Sequence, residues 1–222
     1  MRRAPSSASV PLLACAVAAL APLAGVSSLA APRDTGSYRV LAGIYSRKEA
    51  RSGAGNPVAH AALGELSIAV EFLEPAARAA FVRSIAPAMP DPFAVRPGRP
   101  EMYSVFRVSF SNRSGADVQF QPKNVVLLTD RKTQDFPVDL TDLYRGAEMA
   151  GLSDPERVFE RLAPIVFDSG TTIAKGTSLE RLLVFAPFPA KWRDLQLHFS
   201  FLQIGTETRT VSFNFHKQSS KG

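Results

Sequence analysis

The amino-acid sequence predicts a mostly β fold: an antiparallel β-sandwich of about seven to nine strands with short helical insertions. Apolar and polar residues alternate along 66–72, 195–201 and 211–215, which is the period of a half-buried strand. Short segments rich in β-branched and aromatic residues follow one another between turn signals. The regular succession of strands and long helices that a parallel sheet requires is missing. We therefore expect two packed layers of antiparallel sheet.

The first thirty residues have the composition of a bacterial export signal. Two arginines precede an apolar run over 10–26, which contains two prolines, and small residues follow at Ser28 and Ala30. This order is typical of a secretory signal peptide with a small-x-small cleavage site. A retained transmembrane anchor, the alternative, needs about 20 apolar residues. We expect residues 1–30 to be a cleaved signal peptide and the protein to be periplasmic or secreted.

Cys15 is the single cysteine of the chain. Residues 12–15, Leu-Leu-Ala-Cys, are similar to a lipobox, in which the cysteine is lipidated and becomes the first mature residue. Most of the apolar run follows Cys15, which favours a soluble exported protein over a lipid-anchored envelope protein. Membrane attachment is expected only if Cys15 is lipidated. Either way, the folded part has no cysteine, so its core must be stable without disulfides.

Residues 31–62 show little periodicity and are expected to form a flexible leader before a sandwich domain over 63–218. Within the leader, only 38–45 has the composition of a strand. The formal net charge of +6 falls to +4 without the two arginines of the signal, and basic residues are dispersed among acidic ones. Nucleic-acid binding requires a concentrated basic surface, so no nucleic-acid partner is expected.

Strand signals recur along the domain at short intervals, separated by turn residues. The candidate strands lie at 66–72, 103–110, 117–121, 124–129, 136–140, 165–167, 171–174, 179–185, 195–201 and 211–216.

Two helical insertions interrupt this pattern. The first is expected near 75–86 and is followed by a proline-rich connection. The second is expected over 141–163, where Thr141 would cap one helix and Ser153 with Glu156 matches a capping box for another. We expect the second insertion to cover an edge or an open end of the sandwich.

The last hairpin is the clearest unit. If its turn lies near Gly205, its apolar residues, including Phe201, fall on one face. The expected facing pairs are Leu195–Phe215, Leu197–Phe213 and Phe199–Val211 on the apolar face, and Asp194–His216 and His198–Ser212 on the other.

Two segments share a pattern with known domains. Over 103–130, a strand is followed by Asn112-Arg113-Ser114-Gly115, then Val118, Phe120, Pro122 and an apolar run that ends at Asp130; over 173–185, a turn at Gly176 precedes a strand that ends at Phe185. This pattern resembles the telokin-like, immunoglobulin-type domains of uncharacterised bacterial secreted proteins and lipoproteins. It covers about half of the mature chain, and the chain departs from it at 87–100 and 141–164. The resemblance implies an immunoglobulin-like sandwich without common catalytic residues.

Reactive side chains are few. A zinc site needs three or four converging ligands, and the expected register keeps His198 and His216 apart while His60 lies in the leader. Asp194 and His216 could supply half of a Ser-His-Asp triad, but the sequence lacks a Gly-x-Ser-x-Gly elbow. P-loop and dinucleotide-binding glycine motifs are missing as well. We expect no enzyme activity, no cofactor and no metal, with a hydrolase as the least favoured alternative.

Carboxylates cluster around the second insertion, at Asp135, Asp139, Asp142, Glu148, Asp154, Glu156 and Glu160. Paired carboxylates can hydrolyse glycosides, and oxygen ligands can bind calcium. Acids near helix starts more often stabilise the helix dipole.

The function that these observations favour is a non-catalytic exported accessory or protein-interaction module. Its partner would be an envelope or extracellular protein, bound through sheet edges, the proline-rich connection or the helical insertion. The alternative is a carbohydrate- or small-ligand-binding module that uses the insertion acids and Trp192. Trp192 itself is expected either to close one end of the core or to stack on a ligand.

Overall fold

The computed structural model describes residues 38–43, 57–85, 87, 91–93, 101–149, 154–188 and 191–219. Within these ranges the chain forms eleven β-strands and three α-helices. The strands are β1 (Tyr38–Gly43), β2 (Val58–Leu63), β3 (Leu66–Phe72), β4 (Ser104–Asn112), β5 (Val118–Phe120), β6 (Val125–Thr129), β7 (Gln134–Asp135), β8 (Thr171–Ile173), β9 (Ser178–Phe185), β10 (Asp194–Ile204) and β11 (Glu207–Ser219). The helices are α1 (Pro75–Ile85), α2 (Leu140–Met149) and α3 (Pro155–Leu162). The prediction of a mostly β fold with antiparallel sheets and short helices is confirmed, with more strands than the seven to nine expected.

The strands form two antiparallel sheets. In the large sheet the strand order is β1–β11–β10–β5–β8, and β6 pairs with both β10 and β7; in the small sheet the order is β2–β3–β4–β9. The inward side chains of both sheets form one core, which is rich in phenylalanine rings. Its buried phenylalanines are Phe72, Phe106, Phe110, Phe120, Phe167, Phe185, Phe188, Phe199, Phe213 and Phe215. Several of these rings meet edge to face, a favourable arrangement for aromatic pairs.

The folded part begins before residue 63, which corrects the expected boundary. β1 pairs with β11 along all six of its residues, and Val40 is 2% exposed in the main core. β2 pairs with β3 in the small sheet. The alanines and glycines of 31–62 give little contrast between polar and apolar faces. β1 and β2 form because they pair with the backbones of β11 and β3. The residue pattern of 31–62 alone does not reveal these pairings.

The helical insertions cover the outer face of one half of the small sheet, where they enclose a second core. Its buried residues include Phe81 and Val82 of α1, Leu140 and Leu143 of α2, Leu162 of α3, and Val105, Leu182 and Val184 of the sheet. α2 and α3 therefore add a third layer, whereas the sequence placed them at an edge or an open end.

The segment after α3 closes part of the edge of β9. The Leu182 N–H donates to the Ile165 carbonyl at 2.8 Å, and the Phe167 N–H donates to the Leu182 carbonyl at 2.8 Å. The Val138 N–H donates to the Val184 carbonyl at 2.7 Å. The expected strand at 165–167 is therefore a single parallel bridge against β9, and it blunts an edge that could otherwise pair with another chain.

Candidate functional site

The outer face of the large sheet carries hydrogen-bonded polar side chains along β10 and β11, which we call the polar ladder. Asp194 Oδ1 lies 2.7 Å from His216 Nδ1, Gln196 Nε2 donates to Asn214 Oδ1 at 2.9 Å, and His198 Nδ1 lies 2.8 Å from Ser212 Oγ. All five facing pairs that the apolar pattern predicts for this hairpin are confirmed by the strand register. The inward apolar pairs hold the register, and the register aligns the outward polar pairs.

A β-bulge in β10 interrupts the polar ladder. The pairing with β11 shifts between Phe199 and Leu202, so Ser200 and Phe201 together face Thr210. A bulge inserts one extra residue into a strand, after which the side chains exchange faces.

The bulge places Phe201 on the outside, which corrects the expectation that it lies in the apolar face. Its side chain is 68% exposed, and Leu202, 1% exposed, occupies the inward position. The backbone of Phe201 has a φ of 55°, in the left-handed region. For a residue other than glycine this conformation costs roughly 1–2 kcal/mol. Phe201 is thus an exposed aromatic ring in an unfavourable backbone conformation.

The sequence contains a signal for this bulge. The turn at 205–206 pairs Ile204 with Glu207. An unbroken register from that pair would place Phe199 opposite Ser212, so that an apolar residue would face a polar one. One extra residue in β10 removes this conflict. The turn position and the strand pattern together therefore predict a bulge between Phe199 and the turn.

The polar ladder forms half of a hydrolytic triad at most. Asp194 and His216 are paired as the register predicts. Rows on the same face of a sheet are about 6.7 Å apart, so Ser212, two rows away, lies about 13 Å from His216. Ser212 is hydrogen-bonded to the other histidine, His198, and among the described residues no carboxylate is bonded to His198, so neither histidine contacts both a serine and a carboxylate.

The three histidines do not come together. His198 and His216 lie on the large sheet and are two rows apart on different strands, and His60 lies on β2 of the small sheet. Across the described ranges, no group of three or more His, Cys, Asp or Glu side chains is arranged to hold a metal ion.

Two acidic residues of the second insertion accept hydrogen bonds at helix starts. Asp139 Oδ1 and Asp154 Oδ1 each accept from the backbone N–H three residues later, at 2.8 and 3.1 Å. α2 is thus capped by Asp139 and not by Thr141, and α3 is capped by Asp154 and not by Ser153 as expected; Ser153 itself lies outside the described residues. These contacts fit the helix-start interpretation of the acidic cluster.

The outer face of the small sheet is open where the helices do not cover it. Two cross-strand rows there consist mainly of small side chains: Ala62–Ser67–Ser111–Ser178 and His60–Ala69–Ser109–Glu180. Most of these residues line a shallow depression of about 330 Å³, which we call the serine trough. The serine trough is not among the sites predicted from the sequence, although serines at outward positions of three neighbouring strands are a usable signal for it.

The polar groups of the serine trough are partly engaged with each other. Ser109 Oγ donates to Glu180 Oε2 at 2.6 Å. Arg107 forms an ion pair with Glu71, and its Nε lies 3.9 Å from Glu180 Oε2. His60 is two strands from Ser109, about 10 Å away, so the two side chains do not form a nucleophile–base pair.

Trp192 is a core residue. Its side chain is 1% exposed, and its ring centroid lies 4.8 Å from that of Phe188. Lys217 Nζ lies 5.4 Å from the indole centroid. This burial fits the alternative in which Trp192 closes one end of the core, and it leaves no ring face on which a ligand could stack.

The predicted signal peptide over 1–30 and the lipidation alternative at Cys15 lie outside the described residues and stay predictions. None of the helices in the described part of the chain combines the length and the apolar character that crossing a bilayer requires.

Known proteins resemble the chain only weakly. No protein-family model matches it, and no curated protein matches it. Among solved structures, the chain is similar to the crystal structure of the yjhA protein from Bacillus subtilis, with a TM-score of 0.39 and 12% identity over 69% of this chain and 93% of that chain. Similarity at this level carries no argument about fold family or function. Membership of the telokin-like, immunoglobulin-type domains therefore stays a prediction.

Proposed function

We propose that the protein is a non-catalytic accessory module, exported to the periplasm or the cell exterior, that binds an envelope or extracellular partner through the polar ladder and Phe201. The domain that carries this face is, in this proposal, an immunoglobulin-like sandwich of the telokin-like kind. Two sheets packed around one aromatic core support that assignment, together with the motifs over 103–130 and 173–185.

The observation that carries the proposal is the environment of Phe201. A left-handed backbone is unfavourable for a phenylalanine in the free protein, and at Phe201 it coincides with an exposed aromatic ring. A partner that covers the ring recovers its apolar burial, and exposed aromatic side chains are common anchors of binding surfaces. The hydrogen-bonded pairs beside it hold their side chains in place, so binding would cost little additional conformational entropy.

A non-catalytic role is supported by how the reactive side chains are distributed. In the described residues, the Asp194–His216 pair has no serine within reach, the Ser212–His198 pair has no carboxylate bonded to it, and Ser109 is two strands from His60. A hydrolase would need a nucleophile, a base and an orienting group in mutual contact.

Export is supported by the sequence of residues 1–30, and cleavage after Ala30 and lipidation at Cys15 are the two alternatives. The dispersed basic residues and the modest net charge argue against a nucleic-acid partner. The intact mass of the mature chain distinguishes cleavage after Ala30 from lipidation at Cys15.

Site-specific photo-crosslinking in envelope fractions of the native host tests the proposed binding face. A photoreactive phenylalanine derivative replaces Thr210, opposite the bulge, or Ser67, in the serine trough, as the matched position on the other sheet. We expect a discrete adduct from position 210 that disappears in the additional variant Phe201→Asn. The variant Phe136→Asn, which changes another exposed phenylalanine, should retain it. Adducts from position 67 alone, or adducts that persist in Phe201→Asn, would contradict the proposal.

A further inference from the structure

The polar ladder has almost no net charge. Because side chains alternate along β10 and β11, the outward positions of the ladder are occupied by amides, hydroxyls and imidazoles. Its single carboxylate, Asp194, lies at one end and is paired with His216. The ion pair between Arg209 and Glu207 belongs to positions of the opposite face. Among the described outward residues of β10 and β11 there is no lysine or arginine. Such a face does not complement an anionic ligand, which would need cationic side chains.

The same face still offers unused hydrogen-bonding capacity. Gln196 donates to Asn214, and His198 shares a hydrogen bond with Ser212 through Nδ1. Within the described residues, no hydrogen bond uses Gln196 Oε1, Asn214 Nδ2 or His198 Nε2. Amides, hydroxyls and imidazole nitrogens can each donate or accept. The ladder therefore presents fixed donors and acceptors to a ligand that also has both.

Phe201 adds an apolar ring to this neutral polar face. It projects at the bulge, beside Ser200 and opposite Thr210, one row from the His198–Ser212 pair. The anchor of a protein–protein interface is usually surrounded by further apolar side chains that exclude water. Along β10 and β11 the outward neighbours of Phe201 are hydroxyls, amides and the His198 imidazole, while the outward apolar residues Val126 and Leu128 of β6 lie one and two rows away. The combination favours a ligand with both an apolar face and many hydroxyl groups.

We propose that this face binds a neutral oligosaccharide, with a sugar ring stacked on Phe201 and its hydroxyls bonded to the polar ladder. The C–H face of a pyranose ring is apolar, whereas its hydroxyls donate and accept hydrogen bonds, so both halves of the surface have a counterpart. The assignment rests on the proposed function, because it names the ligand class of the same face. It uses neither Trp192 nor the insertion acids, which the sequence suggested for a carbohydrate site.

Titration of the protein with neutral hexasaccharides of glucose, xylose and N-acetylglucosamine tests the assignment, with amide chemical shifts as the readout. We expect saturable binding of at least one of them, with shifts confined to β10 and β11. Phe201→Asn should weaken that binding about tenfold or more because the stacking surface is lost. Phe201→Tyr should stay within about threefold of the wild type because the aromatic face is kept.

Asparagine tolerates the left-handed conformation, so Phe201→Asn is expected to fold, with unfolding no easier than in the wild type. Phe136→Asn serves as the matched control and should leave the affinity unchanged. No saturable binding at about 10 mM of any hexasaccharide, or equal affinity in Phe201→Asn, would overturn the oligosaccharide assignment.

The crosslinking and titration results separate the two proposals. If no hexasaccharide binds but position 210 forms a Phe201-dependent adduct with a protein, the ligand class is wrong and the binding face stands. If neither experiment depends on Phe201, both proposals fail.

Discussion

At the scale of single residues, Asn112 connects three segments through one buried side chain. It ends β4 and is 0% exposed. Its Nδ2 donates to the carbonyls of Ala116 and Ile173 at 2.9 and 3.0 Å, and its Oδ1 accepts from the Ser114 N–H at 3.1 Å. The side chain thus satisfies backbone groups of the 113–117 turn and of β8 that the sheets leave unpaired.

Replacement of Asn112 by alanine should lower the free energy of unfolding by about 2–4 kcal/mol, since buried backbone groups lose their partners. Urea denaturation measures this change. Ser114→Ala is the matched control, because it removes a partly exposed hydroxyl that bonds Asn112 Oδ1 and the Ala116 carbonyl but keeps the Asn112 amide, and it should cost about 1 kcal/mol or less. A loss below about 1 kcal/mol for Asn112→Ala would contradict the role assigned to the amide.

Arg78 of α1 is a buried cation, 2% exposed. Its Nε lies 2.8 Å from Asp91 Oδ2, and its Nη2 donates to the Phe93 carbonyl at 3.0 Å. Glu101 is the second carboxylate nearby, at 3.8 Å from Nη1. Burial raises the pKa of Glu101 above its ordinary value of 4.5; the charge of Arg78 opposes this shift and Asp91 adds to it.

The raised pKa predicts how Glu101 affects stability with pH. The folded state binds the Glu101 proton more tightly than the unfolded state, so its contribution is fully present below pH 4.5 and is lost as the pH rises through the raised pKa. Glu101→Gln keeps the group neutral. We expect it to gain stability relative to the wild type at neutral pH and to match it below pH 4.5. Urea denaturation across this range measures the difference, and a variant that is less stable at neutral pH would contradict the prediction.

At the scale of elements, the last hairpin shows what the sequence could predict. Its five facing pairs follow from alternation and one turn position, because a strand pair joined by a short turn is a local structure. The outward position of Phe201 does not follow from alternation, because the bulge shifts the alternation of β10 by one residue. The helices near 75–86 and 141–163 also follow from local signals, apart from the residues that cap α2 and α3.

β1 is the element that is hardest to predict from the sequence. Its pairing with β11 joins residues far apart in the chain, and its composition alone gives a weak strand signal. A chain that begins at Asn56 lacks β1 and the buried Val40. We expect it to lose about 2–4 kcal/mol of stability relative to a chain that begins at Ala31.

Urea denaturation of these two chains measures that loss, and sedimentation checks their state of association. The shorter chain exposes the backbone edge of β11 and should self-associate. Equal stability of the two chains would show that β1 is dispensable.

At the scale of the whole molecule, the small sheet is the middle layer of three over half its area. Its inner face belongs to the phenylalanine-rich core, and the helices cover Val105, Leu182 and Val184 on its outer face. A strand buried on both faces has no polar alternation, which is why β9 is continuously apolar from Leu182 to Phe185.

The candidate site depends on how the layers of the whole molecule cover one another, more than on any sequence motif. The polar pairs of β10 and β11 could be predicted from the register, but the open face around them could not. Whether a sheet face is covered depends on where α2 and α3 dock, and the sequence pattern of those helices does not state which layer they contact. The serine trough, whose residues come from four strands, could not be predicted for the same reason: the sequence does not show which part of the sheet the helices leave open.

The pairing of β1 with β11 also brings the two ends of the described chain side by side. Tyr38 faces Ser219 in the ladder, so their Cα atoms are roughly 5 Å apart. These two residues are therefore close enough to be joined without moving either strand. A short peptide could join these residues, and the chain could be reopened at the surface turn around Lys132 to give a circular permutant with the same two sheets.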